Sequence, residues 1–149
     1  MKELSKIKIL GIDYGASRTG AAVSDLMGSM AHGIETIFSK SAKDVAQKVA
    51  ALAEKHEVGK IVVGLPKNMN NTLGERGEKT QEFIELLRDT CRCEVVAWDE
   101  RLTTVSAIGF LNETNTRGKK RKAVIDTVAA EIILQGYLDY IKRGGNKNE

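Results

Sequence analysis

The sequence predicts an α/β fold built on a five-stranded mixed sheet, a three-strand antiparallel meander plus two parallel strands, flanked by helices. Three observations carry that prediction. Three short apolar runs crowd into the first 40 residues with only polar punctuation between them, which is the spacing of a meander. Two later apolar runs each follow a stretch of helical periodicity, the usual way for a chain to return and add a parallel strand. The 149 residues, 42% hydrophobic and 29% charged, suffice for one core and hardly for two.

The elements follow in order. "KIKILGIDYG", "TGAAVSD" and "HGIETIFS" read as the three meander strands. Ser41 then opens "SAKDVAQKVAALAEKHEV", where Val45, Val49 and Leu52 keep helical spacing and Ser41 with Asp44 resembles a capping box. "KIVVGLP" is a short buried strand stopped by Gly64 and Pro66, the only proline. "TLGERGEKTQEFIELLRDT" is a second helix with Phe83, Leu86 and Leu87 on one face. "CEVVAWDER" is the fifth strand, and Thr103 or Thr104 caps a short helix through Leu111. A long last helix runs from about Ala123 to Arg143. The expected organisation is one domain over 1–149, with a flexible basic loop at 113–122 and a polar tail at 144–149.

Charge is unevenly placed. "RGKKRK", Arg117 to Lys122, puts five positive charges in six positions, and without them 18 basic residues face 20 acidic ones. A slightly acidic body thus carries one basic segment, suited either to plain solvation or to a polyanion. No apolar run approaches a membrane span and the N-terminus lacks the apolar stretch of a secretory signal, so a cytoplasmic protein is expected. Cys91 and Cys93 fit the same reading as reduced, partly packed thiols, since a C-x-C pair in an extended strand forms no normal disulfide.

The carboxylates point to chemistry. Sites in open α/β sheets collect at the carboxyl ends of the strands. Asp13 ends the first strand, Glu100 the fifth, and Asp126 falls in the first turn of the last helix, with small Ala129 and Ala130 as its surface neighbours. Taken singly, Asp126 can compensate a helix dipole and Glu100 can pair with Arg101. Three carboxylates brought to one end of one sheet repel, and a divalent cation is the simplest remedy. With only His32 and His56, and no cysteines at zinc spacing, the donors would be all oxygen, which favours Mg²⁺ or Mn²⁺. Such a site beside a basic segment suits metal-dependent hydrolysis of phosphodiesters in a nucleic acid.

"GIDYGASRTGAAVSD", "IVVGLPKNMNNTLGERG", "VVAWDERLTT" and "AVIDTVAAEIILQGYLD" together resemble the YqgF/RuvX family over roughly Ile7 to Leu138. These are RNase H-like nucleases described as Holliday junction resolvase-like and as pre-16S rRNA nucleases. The resemblance implies an RNase H-like fold and places the family's acidic triad on Asp13, Glu100 and Asp126. It sets Arg18 on the arginine after the first strand, Arg101 on that of the D-E-R motif, and Asp25 on the Ser-Asp ending the second strand. Where the family usually has Asp-Gly after G-L-P, this chain has Asn70 and Asn71. The expected substrate contacts are Arg18 and Arg101, from these motifs, and Arg117, Lys119, Lys120, Arg121 and Lys122, from the charge of the basic segment.

The expected function is processing of the 5′ end of pre-16S rRNA by a monomer, in company with ribosomal precursor particles and without a membrane. Resolution of branched DNA and a non-catalytic nucleic-acid-binding module are the alternatives. Asp-x-Gly also opens the actin-like ATPases and sugar kinases, but those need two such domains to form a nucleotide cleft.

Overall fold

The structure, a computed structural model, describes residues 7–102 and 118–143, with side chains for all of these but 118–126. The meander forms as expected, from β1 (Lys8–Asp13), β2 (Arg18–Ser24) and β3 (Ala31–Phe38). Helix α1 (Ala42–Lys55), strand β4 (Val58–Leu65), helix α2 (Glu75–Thr90), strand β5 (Glu94–Asp99) and helix α3 (Gly118–Lys142) follow. The sheet order is β3-β2-β1-β4-β5, antiparallel across β1–β2–β3 and parallel across β1–β4–β5. The predicted mixed sheet is therefore the observed one.

Alternation along the strands divides the core into two layers. Leu10, Ile12, Ile61, Val63 and Val95 face α1 and α2, where Val45, Val49, Leu52, Phe83 and Leu87 are buried against them. Ile9, Val62 and Trp98 face α3 and meet Ala130, Ile133, Leu134 and Leu138. The cap of α1 is half of the expected box. Ser41 Oγ accepts from the Asp44 amide at 3.2 Å, while the Ser41 amide is taken by Ser39 Oγ rather than by Asp44.

Helix α3 lies unusually close to β1 because Gly11 has no side chain. A Cβ there would lie 2.6 Å from Leu134 Cβ and 3.1 Å from the Ala130 carbonyl oxygen. Two side-chain ties hold the helix to the meander: Gln135 accepts from the Ala31 amide at 3.0 Å and donates to the Ser29 carbonyl at 2.9 Å. Among the described residues no helix is long and apolar enough to cross a membrane.

Three expectations meet a different outcome. Helix α3 starts at Gly118, before the predicted Ala123, so Lys119 to Lys122 are helical rather than loop. Lysine and arginine are good helix formers, and like charge alone does not stop a helix that continues into a packed face. Asp126 accordingly lies about two turns into α3, not in its first turn. Cys91 and Cys93 flank a bend before β5 rather than sitting in the strand. Their Sγ atoms are 4.0 Å apart, and burial pushes the Cys93 thiol up to about 11. The helix from Thr103 or Thr104 to Leu111, residues 113–117 of the basic segment and the tail at 144–149 lie outside the described residues.

Gly11→Ala should keep the fold but lower stability by about 1–3 kcal/mol, because the added methyl meets Leu134 Cβ, which cannot rotate away, and the Ala130 carbonyl. Urea unfolding of the two proteins, read as a shift in midpoint at constant slope, measures it.

Candidate nucleic-acid active site

Asp13 is the last residue of β1, on the face that α3 covers. The β1–β4 register pairs Ile12 with Val63, and one step further in the same register sets Asp13 beside Gly64. Glu100 follows β5 in a single 3₁₀ turn, Glu100–Leu102, and its side chain folds back over β4. A Cβ on Gly64 would lie 2.6 Å from Glu100 Oε2 and 2.5 Å from Ile133 Cδ1. The Glu100 carboxylate thus occupies the space that a side chain at Gly64 would fill, next to Asp13. By register Asp13 and Glu100 thus stand at the same end of the sheet, on either side of β4.

Asp126 is one helical turn before Ala130, whose carbonyl sits over Gly11. Its backbone is on the stretch of α3 that leads toward the Asp13 end of β1; its side chain is among those not described. Among the described residues no three His, Cys, Asp or Glu side chains form a metal group.

The electrostatics fit a cation. Burial pushes the Glu100 carboxyl above its ordinary range, opposed by the nearby Arg76 guanidinium and reinforced by Asp99. Arg76 Nη2 is 3.5 Å from Asp13 Oδ1, so a positive group already stands beside both carboxylates. The donors are all oxygen, the missing side chain at Gly64 leaves room for the Glu100 carboxylate, and a cation already stands beside them. These residues fit a hard divalent ion such as Mg²⁺ or Mn²⁺.

Arg76 was not among the residues singled out from the sequence. It reaches Asp13 from the opposite layer, around the strand ends. Tyr14 stacks on Phe83 with centroids 4.1 Å apart and rings 9° from parallel. Phe83 is seven residues after Arg76, on the same face of α2, so the stack fixes the face from which Arg76 reaches out. The missed signal is its position: a cation in the first turn of a helix opposes the macrodipole and calls for a separate reason. Tyr14, Lys40, Glu75, Arg76, Lys79 and Thr80 are among the residues lining an adjoining cleft of about 390 Å³, in which three cations outnumber the one carboxylate.

The other predicted contacts divide. Arg18 opens β2 in an exposed position near the Asp13 end of β1. Arg101 is committed within the protein: its guanidinium binds Asp99 at 2.7 Å, the Asn68 carbonyl at 3.1 Å and Asn71 Oδ1 at 2.9 Å. The same bonds hold the Asp99 carboxyl below its ordinary range. Asn70 and Asn71 form the turn that Arg101 grips. Asn71 has φ +73°, a left-handed conformation that asparagine tolerates better than most residues. Asn70 Oδ1 accepts from the Thr72 hydroxyl at 2.7 Å. Asp25 is likewise a turn residue, its carboxylate accepting from the Ser29 amide at 2.8 Å. Arg117 lies outside the described residues, and Lys119, Lys120, Arg121 and Lys122 are placed by backbone alone.

The raised acidity range of Glu100 gives a pH prediction. Its folded-state value lies above the ordinary 4.5, so the folded protein binds the extra proton and loses stability as pH climbs from 4.5 through the folded value. Glu100→Gln carries no charge at any pH. In chelator-containing buffer it should be more stable than the parent at neutral pH, and the difference should close below about pH 4.5. Urea midpoints across pH 4 to 8 check this.

The family model described as "RuvX: Holliday junction resolvase" matches residues 7–140. A protein of Halothermothrix orenii named "Putative pre-16S rRNA nuclease" is 48% identical over 134 residues, 90% of this chain and 96% of the relative. A protein of Acetivibrio thermocellus with the same name is 49% identical over 135 residues, 89% of this chain and 96% of the relative. Among solved structures, Thermus thermophilus RuvC superposes with a TM-score of 0.62 at 13% identity, covering 93% of this chain and 97% of that one. The large terminase nuclease of phage G20c does so at 0.53 and 15%, covering 91% and 82%. That likeness makes the fold RuvC-like, the RNase H-like architecture that the motifs imply. With its acidic strand ends, its G-L-P turn and its family model matched almost from end to end, the chain belongs to the RuvX family.

Proposed function

We propose that this protein is a metal-dependent nuclease that hydrolyses phosphodiester bonds, and that its substrate is the 5′ end of pre-16S rRNA. The observation that supports the reading is the Glu100 carboxylate lying over Gly64, at the end of the sheet where β1 ends in Asp13. The relatives' shared name supplies the substrate class.

In this reading Asp13, Glu100 and Asp126 would hold Mg²⁺ or Mn²⁺ through oxygen, and such an ion would supply positive charge for the scissile phosphate and for activating water. The protein's own part is to keep Glu100 where burial makes its lone charge costly, so that a cation is favoured there. Arg18 and the stretch Arg117 to Lys122 contact the nucleic-acid backbone, which positions a strand without reading its bases. Arg101 acts by holding the loop after β4. Low sequence selectivity follows, because Trp98 is buried against α3 and offers no surface for base stacking. Shape, or proteins of a ribosomal precursor particle, would then direct the enzyme, acting as a monomer in the cytoplasm.

Cleavage of branched DNA is the second reading, favoured by the description of the matching family model. An assay offering an rRNA precursor, linear DNA and four-way junctions side by side separates the two. Asp13→Asn should abolish Mg²⁺- or Mn²⁺-dependent cleavage while leaving the protein folded, and full activity in that variant would end the metal reading. Cells carrying only Asp126→Asn should accumulate small-subunit rRNA with an unprocessed 5′ end. Persistent four-way junctions with normal rRNA ends would favour the second reading.

Replacing Lys119, Lys120 and Arg121 together with Ala should weaken binding across sequences and flatten its dependence on salt, since fewer counterions are released. Titrations at several salt concentrations read the slope, and an unchanged slope assigns the segment to solvation.

A further inference from the structure

We propose that Arg76 is a built-in counter-cation, which holds Asp13 and Glu100 before metal arrives, yields them to the ion, and then takes a nucleic-acid phosphate in the adjoining cleft. The inference rests on the metal-dependent reading above and gives a role to a residue that the sequence analysis left without one.

The geometry of the pair is that of a loosely held partner. Arg76 Nη2 stands 3.5 Å from Asp13 Oδ1, and its side chain is 62% exposed. Strong charge-assisted bonds from a guanidinium are shorter, near 2.8 Å, and often bidentate. Arg101 supplies the contrast, with two nitrogens on Asp99 at 2.7 to 3.1 Å and further bonds to the loop. One arginine at this end of the sheet is fixed and the other can leave.

Arg76 is also placed against the local field. It sits in the first turn of α2, where a helix favours anions, and the opposing charge of Asp13 and Glu100 offsets that cost. A divalent cation carries twice the charge and binds carboxylate oxygens directly, so it displaces a guanidinium from them. The displaced side chain has a destination, since the cleft lined by Arg76 also carries Lys40 and Lys79. Three cations beside a metal site suit the phosphates that flank a scissile bond. The Tyr14–Phe83 stack keeps α2 in place meanwhile, so only the side chain has to move.

The test is Mn²⁺ binding to the full chain without nucleic acid, followed by calorimetry or by the paramagnetic signal of free Mn²⁺. Arg76→Gln should bind Mn²⁺ about two- to fivefold more tightly than the parent, the range expected for losing one exposed ionic competitor. Arg76→Lys, which keeps the charge, should stay near the parent. Lys79→Gln removes a cation that pairs with Glu75 at 3.8 Å, and should change Mn²⁺ binding less than Arg76→Gln. With Ca²⁺ in place of Mn²⁺ to hold a single-stranded RNA uncleaved, Arg76→Gln should reduce the salt slope of RNA binding by about one. Unchanged or weaker Mn²⁺ binding by Arg76→Gln, or equal tightening by Lys79→Gln, overturns the counter-cation while leaving the metal reading intact. Failure of the parent and the variant alike to bind Mn²⁺ overturns both. An unchanged salt slope overturns the phosphate half of the proposal.

Discussion

The space over Gly64 is the constraint on which the site depends. Three strands end side by side, and the middle one has no side chain at the level of Asp13. Ile133 of α3 presses in from the helix layer and the Glu100 carboxylate folds in from β5. Adjacent strands lie about 4.8 Å apart, so carboxylates on β1 and β5 would ordinarily be separated by whatever β4 carries between them. An alanine would already force both Glu100 and Ile133 to move. The closeness of α3, made possible by Gly11, serves the same end by bringing the stretch that contains Asp126 down toward the sheet.

That arrangement is electrostatically expensive without a partner ion. Glu100 is withdrawn from water and its neighbour Asp99 is also acidic. The protein tolerates this because the two core layers around the site are apolar and closely packed. Such local instability is a common property of binding centres, whose charges are arranged for the bound state rather than for the empty one. Arg76 softens the conflict without removing it, since it stands exposed and at long range.

Much of this was legible in the sequence, because the relevant signals are local. Alternating and helical periodicities specify strands and helices, and Ser41 marks the start of α1 by the chemistry of its hydroxyl. Asp13 stood out because a carboxylate at the end of an apolar strand needs an explanation. The start of α3 was less legible: charge made Lys119 to Lys122 look like a loop, whereas helix propensity and the packed face beyond them carry the helix back to Gly118. The pairings of Arg101 and Arg76 were hidden for a related reason. They depend on residues distant in the chain, Asn68 and Asn71 for one and Asp13 for the other. No spacing rule within a single segment reports such pairings.

The turn at Asn70 and Asn71 has a consequence for how the family diversifies. A glycine at the second position would satisfy a left-handed backbone and nothing more. Asparagine satisfies the same backbone and also hands an oxygen to Arg101, so the loop after β4 becomes tethered to the residue that follows Glu100. A neighbouring chain with glycine there would trace the same path with a slacker rim. The stiffness of the rim around the acidic centre is therefore set by one amide, which touches neither Asp13 nor Glu100 in making that bond.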